Sequence, residues 1–178
     1  MKMTIFALVL CAAAFAQDTP KAPASVKVTR LDSPKALKFE ITVPASLEDV
    51  WTAFTTNAGL NTWLWQDCTV ELREGGGWTA HYPGGATGGG TIVSFQPGRQ
   101  LVIHAMAPEK FPEVRSTGTT ATFDFAAAGE GTRVTLTQTG WKQGKEWDEA
   151  YEYLAAGNAQ LLGQLSVRFV DGPIRWKK

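Results

Sequence analysis

Several things are scarce in this 178-residue chain. It has two cysteines, Cys11 and Cys68, and two histidines, His81 and His104. No His-Glu-x-x-His or Cys-x-x-Cys spacing occurs, so the usual metal-ligand patterns are missing and no metal or other cofactor is implied. There is no Gly-x-Ser-x-Gly elbow for a serine nucleophile. Gly84–Gly90 lacks the Gly-Lys-Ser/Thr ending of a phosphate loop and opens no helical pattern. Net charge is also absent: 17 Lys+Arg balance 17 Asp+Glu. A nucleic-acid partner held by bulk positive charge is excluded on that ground. No internal repeat is visible, and the length fits one domain.

The one sustained apolar run lies at the start. Met1–Ala16 reads MKMTIFALVLCAAAFA, with Lys2 ahead of an apolar stretch from Ile5 to Ala14 and an Ala14-Phe15-Ala16 site. This is the pattern of an export signal, with cleavage expected after Ala16. The run is shorter than the roughly 20 apolar residues that span a bilayer, and no later segment is long enough. The expected location is periplasmic or secreted. Cleavage would leave Cys68 as the single cysteine, with no internal disulfide, and a buried structural thiol is the expected role. Residues 17–35 are polar and contain Pro20, Pro23 and Pro34, which reads as a flexible leader. The folded domain is expected over 36–171, followed by a short tail, 172–178.

What the chain has is glycine and tryptophan, 18 and 7 residues. Leu37, Phe39, Ile41 and Val43 alternate with polar residues, as in a half-buried strand. Ser46 and Asp49 form a capping pair ahead of Leu47, Val50, Trp51 and Phe54, an apolar stripe at helical spacing. A second short turn is expected over Leu60–Trp65. Six strands then follow: 68–73, 78–82, 91–96, 101–107, 116–126 and 132–139. They are separated by turns at 74–77 and 97–98, a flexible glycine-rich loop at 83–90 and a loop at 108–115. From Glu146 to Val170 helical spacing returns over about 38 Å. Gly157 inside it predicts a bend or a close packing contact. The only large apolar partner for one face of the sheet is this helix. The fold class is therefore α+β: a curved antiparallel sheet wrapped around a long C-terminal helix.

The residues Ile41-Thr42-Val43-Pro44-Ala45 lead into Val50, Trp51, Ala53 and Phe54. Trp63, the Glu74–Gly77 turn, the stretch from Gly90 to Ile103, Thr135–Trp141, and Trp147 with Tyr151 follow. In this order they resemble the START-like (SRPBCC) helix-grip superfamily. Within it the chain is similar to the family named for the C-terminal domain of the heat-shock-protein ATPase activator. The resemblance covers about Leu37 to Phe169. It implies a cavity between sheet and helix that holds an apolar or amphipathic small molecule.

Alternation and the resemblance together nominate lining residues: Trp63, Trp65, Trp78, Tyr82, His104, Met106, Phe125, Trp147, Tyr151 and Leu154. Large aromatics suit a planar or acyl ligand. Two other readings stand beside binding. One is an acid–base enzyme of the cyclase kind, for which His104 or Asp124 would be the starting point. The other is a protein-interaction module with a protein partner. Glu146, Asp148, Glu149 and Glu152 read as solvated charge at a helix start.

Overall fold

The computed structural model describes residues 24–176. The expected export signal and its cleavage site lie outside the described residues. Eight strands form one antiparallel sheet: β1 (Lys27–Asp32), β2 (Lys35–Val43), β3 (Cys68–Val70), β4 (Gly77–His81), β5 (Thr87–Gln96), β6 (Gln100–Met106), β7 (Thr119–Ala128) and β8 (Gly131–Thr139). Their spatial order is β1-β2-β8-β7-β6-β5-β4-β3. The meander from β3 to β8 thus returns to pair with β2, Phe39 standing opposite Leu136 and Ile41 opposite Val134. Two short helices, α1 (Leu47–Thr55) and α2 (Asn57–Leu60), join β2 to β3, and α3 (Pro112–Thr117) joins β6 to β7. Helix α4 (Lys145–Asp171) follows β8.

Local chemistry explains the helix starts. The Asp49 N–H donates to Ser46 Oγ at 3.0 Å, and Ser46 Oγ donates to Asp49 Oδ2 at 2.7 Å, capping α1. Thr56 Oγ1 accepts from the Gly59 N–H at 2.9 Å at the head of α2. A Cβ on Gly59 would come within 2.2 Å of the Thr52 carbonyl oxygen, so only glycine lets α2 pack this closely on α1. Helix α2 ends at Leu60, and the chain continues through the short helical turn expected there, the Leu64 N–H donating to Leu60 O at 2.9 Å, with Trp63 and Leu64 buried.

The core lies between the sheet and the helices. From β2 it takes Leu37, Phe39, Ile41 and Val43, from α1 Val50 and Phe54, and from α4 Leu162 and Leu165. Phe54 is its hub, with ring centroids 4.7 Å from Trp63, 5.1 Å from Phe123 and 5.0 Å from Phe125. A smaller cluster of Ala107, Phe111, Val114, Trp147 and Ala150 locks α3 to the start of α4.

Four sequence expectations are corrected. Residues 27–35 are not leader: β1 pairs with β2 from Lys27↔Glu40 to Asp32↔Lys35. Arg30 and Lys35 bridge to Glu152 and Asp148 of α4, each at 2.7 Å. The strand is an edge with little buried side chain, so hydropathy gives no sign of it. The glycine stretch is not a loop throughout, because Thr87–Gly90 belongs to β5. A Cβ on Gly90 would lie 2.0 Å from the His104 carbonyl oxygen, so glycine here permits close strand packing. The segment 108–115 contains the start of α3, and Glu146 Oε1 accepts from the backbone N–H groups of Glu113 and Val114 at 2.7 and 3.0 Å. The acidic cluster is therefore partly spent on specific contacts. Finally, of the bend or close packing contact expected at Gly157, the contact is absent: nothing lies within 4 Å of where its Cβ would be. The tail is also anchored. Ile174 N–H donates to Thr62 O at 2.9 Å, and Trp176 Nε1 to Asn61 O at 2.8 Å.

Cys68 is buried and unbridged, its thiol donating to the Trp65 carbonyl at 3.3 Å. Burial pushes its pKa up from 9.0 to about 11. Because the folded value is raised, ionisation favours the unfolded chain as pH climbs from 9 to 11. Iodoacetamide labelling of Cys68, read by peptide mass, should still be rising steeply above pH 10 in folded protein and be near its plateau there in denaturant. The same pH profile in both states would show that the thiol is not shielded. Phe54→Ala should cost about 3–5 kcal/mol in urea unfolding, since it empties the centre of the aromatic hub. A loss below 1 kcal/mol would contradict that role.

Candidate functional site

A cavity of about 440 Å³ lies between the sheet and the middle of α4. Its floor is built from the inward positions of neighbouring strands. Trp78 comes from β4, Ile103 and Ala105 from β6, Ala121 and Phe123 from β7, and Leu136 and Gln138 from β8. The registers Ile103↔Ala121 and Phe123↔Leu136 bring these side chains side by side on one face. A register shift between Ile92 and Ser94 bends β5, which adds curvature to the sheet. The roof is one side of α4: Tyr153, Leu154, Gly157, Asn158 and Leu161. The rim carries Tyr82, Ala86–Gly89, Met106, Pro108 and Glu109. Because Gly157 has no side chain and no neighbour at its Cβ position, it keeps the roof open at its centre.

Trp78 is held in place by its Nε1 donating to the Phe54 carbonyl at 2.9 Å, with its ring 6.2 Å from that of Phe123. The polar content of the interior is small. Gln138 Nε2 donates to Thr119 Oγ1 at 2.8 Å, and Asn158 Nδ2 donates to Gln138 Oε1 at 2.8 Å. Glu109 is the one charged residue in the lining. The Tyr82 hydroxyl is raised above the ordinary phenol value, chiefly by burial, with smaller contributions from Cys68 and Tyr153. Its ring packs on Trp65 at 5.3 Å, which in turn packs on Trp176 at 5.1 Å. Among the described residues, no group of three or more His, Cys, Asp or Glu could hold a metal ion. No described helix is long and apolar enough to cross a membrane.

Of the residues nominated from sequence, Trp78, Tyr82, Met106 and Leu154 line this cavity. The other six sit elsewhere. Trp63 is in the core, its Nε1 donating to Ala53 O at 2.9 Å. Trp65 forms a layer behind the rim. Phe125 packs on Phe54 and Trp51 under α1. Trp147 belongs to the α3–α4 cluster, with Nε1 donating to Glu113 Oε1 at 2.8 Å. Tyr151 is buried against β2, its hydroxyl donating to Ala36 O at 3.0 Å. His104 is exposed, because the inward positions of β6 are Leu101, Ile103 and Ala105, and alternation turns residue 104 to the outer face. Its ring lies over Gly118, where a Cβ would be 2.3 Å away. Asp124 shares the outer parity and accepts from Gln100 Nε2 at 2.8 Å. Neither titratable residue on which an acid–base reading began reaches the cavity.

Sequence reasoning missed Gln138 and Asn158. Gln138 follows Val134 and Leu136 in the inward register of β8, and a polar residue in that place was a legible signal. Asn158 lies one turn beyond Leu154 and so shares its side of the helix. Glu109 and Tyr153 had no comparable signature.

A second hollow of about 410 Å³ lies where Asp49, Thr52 and Gly59 face Arg168 and Phe169 at the far end of α4. Phe169, Pro44, Ala45 and Ala53 are its apolar part, and Asp49, Thr52, Thr62 and Arg168 make it more polar than the first.

Solved structures with the same fold come from several bacteria. The solution structure of the Aha1 dimer from Colwellia psychrerythraea matches at 20% identity and a TM-score of 0.63, covering 77% of this chain and 97% of that one. Protein MLL2253 from Mesorhizobium loti matches at 18% identity and 0.64, covering 76% and 96%. CalU16 from Micromonospora echinospora matches at 19% identity and 0.58, covering 85% of each chain. At such identities the likeness is one of fold. No curated protein matches the chain. A family model does, over residues 44–169, which span α1 to nearly the end of α4 and include every wall of the cavity. The chain therefore belongs to the family described as activator of Hsp90 ATPase homolog 1-like protein, with the START-like helix-grip fold.

Proposed function

We propose that this protein binds an apolar or amphipathic small molecule in the cavity between sheet and α4, and that it does so outside the cytoplasm. The observation that carries the binding reading is the roughly 440 Å³ cavity, walled by Trp78, Ile103, Phe123, Leu136, Leu154 and Leu161. Its size falls in the range of small-molecule sites. A ligand of matching shape would make dispersion contacts with these apolar walls. Few convergent polar groups in an apolar chamber are the usual means of orienting such a ligand. The location rests on the Ile5–Ala14 run and the Ala14-Phe15-Ala16 site in the sequence.

Protein purified from the exported fraction should carry a near-stoichiometric apolar mass in native mass spectrometry, recoverable by organic extraction. A clean unliganded mass, together with no tryptophan fluorescence change across a panel of apolar ligands, would sink the reading. Gly157→Leu supplies a second test. Leucine is the better helix former by roughly 0.8 kcal/mol and would project into the open roof. The variant should unfold at a higher temperature than the parent while its ligand occupancy falls at least about tenfold. Unchanged occupancy in a folded Gly157→Leu protein would place binding somewhere else.

A further inference from the structure

The polar groups of the cavity form a directed chain. Gln138, 3% exposed, is used at both ends, donating to Thr119 and accepting from Asn158. Asn158 makes only this one side-chain hydrogen bond among the described residues. Its Oδ1 and its second N–H are left without a protein partner in the cavity wall. A carboxamide held this way offers one acceptor and one donor side by side.

The charges around the cavity have the opposite character to an anion site. No lysine or arginine lines it, and the carboxylate of Glu109 stands at its rim. The neighbouring cations are engaged. Lys110 Nζ sits 3.4 Å from the centre of the Tyr153 ring and 5.0 Å from that of Phe111. Arg115 donates to Ala107 O at 2.7 Å and contacts Thr87 Oγ1 at 3.4 Å. A carboxylate taken inside would lose its water without gaining a counter-charge, and it would face Asn158 Oδ1. A hydroxyl or amide can donate to Oδ1 and accept from the free N–H together.

We infer that Asn158, positioned by Gln138, is the specificity-determining contact of this cavity, and that its ligand is a neutral molecule bearing a hydroxyl or amide group on an apolar body. This rests on the binding reading above. The mechanism is one of difference: Asn158 is half-buried, and an apolar ligand seated against it would strip water from its free donor and acceptor without replacing those bonds, so a ligand that matches them is preferred over its plain hydrocarbon.

The test compares three probes of one shape, hexylbenzene, 4-hexylphenol and 4-hexylbenzoate, by titration of the purified protein with native mass spectrometry. The phenol should bind about tenfold or more tighter than the other two. Asn158→Leu should remove most of that advantage while leaving hexylbenzene affinity within about threefold. If Asn158→Leu does not fold, Asn158→Ser, which shortens the side chain and keeps a hydroxyl, is expected to lower the preference part-way. Equal binding of phenol and hydrocarbon, or a preference that survives both variants, overturns the inference and leaves the cavity reading standing. Tight benzoate binding that Lys110→Ala abolishes also overturns it, since the ligand would then sit head-outward at the rim. Binding of none of the three overturns the binding reading as well.

Discussion

The long helix α4 lies beside α1 on one face of an eight-stranded sheet, and the seal between α4 and the sheet is tight at both ends and open in the middle. Near the start of α4, Trp147, Ala150 and Tyr151 are buried against α3 and β2. Near its end, Leu162, Leu165 and Ser166 are fully enclosed. Between them lie Leu154, Gly157, Asn158 and Leu161, which border empty space. Helix and sheet both have to be well fixed for that space to persist, because a loosely held helix would settle onto the sheet and close it. The anchors at the two ends provide the fixing. They include the Tyr151 hydroxyl on Ala36, the ion pairs to Arg30 and Lys35, and the Ala24 N–H on Ser166 Oγ at 2.8 Å.

The same arrangement gives the tryptophans different duties. Trp63 and Trp147 are wholly buried, with their indole N–H groups satisfied, and act as packing for α1–α2 and α3–α4. Trp78 is also satisfied, through the Phe54 carbonyl, yet it presents a face to the cavity. Trp65 supports Tyr82 at the rim from behind. Hydrogen bonds from the indole N–H groups fix Trp63, Trp78 and Trp147 in place, whereas Trp65 is held by ring packing alone, and a fixed wall selects ligand shape with less ordering on binding than a mobile one.

Glycine contributes at two scales. Gly90 in β5 and Gly59 in α2 allow backbones to approach where any Cβ would collide. Gly157 in α4 does the reverse, since its neighbourhood has room and the residue leaves it unused. A helix interior ordinarily disfavours glycine by about 1 kcal/mol relative to alanine, so the cavity is kept open at a cost in helix stability.

The sequence by itself determined the strand–helix–meander–helix order, the inward residues Leu37, Phe39, Ile41 and Val43 of β2, and the family. Period-two and helical spacing report which side of an element is apolar, and these elements are strongly patterned. It also carried Trp78, Tyr82, Met106 and Leu154 to the cavity. The rest was decided only in three dimensions. Edge strand β1 draws its order from β2 and from charges on α4, contacts remote in the chain. His104 and Ile103 differ by one position, and the register of β6 against β7 sends one outward and the other into the cavity. Phe125 and Phe123 share a face, but α1 covers the first and α4 leaves the second open. A cavity is a place where packing stops, and a linear pattern that records which residues are apolar does not record where their partners run out.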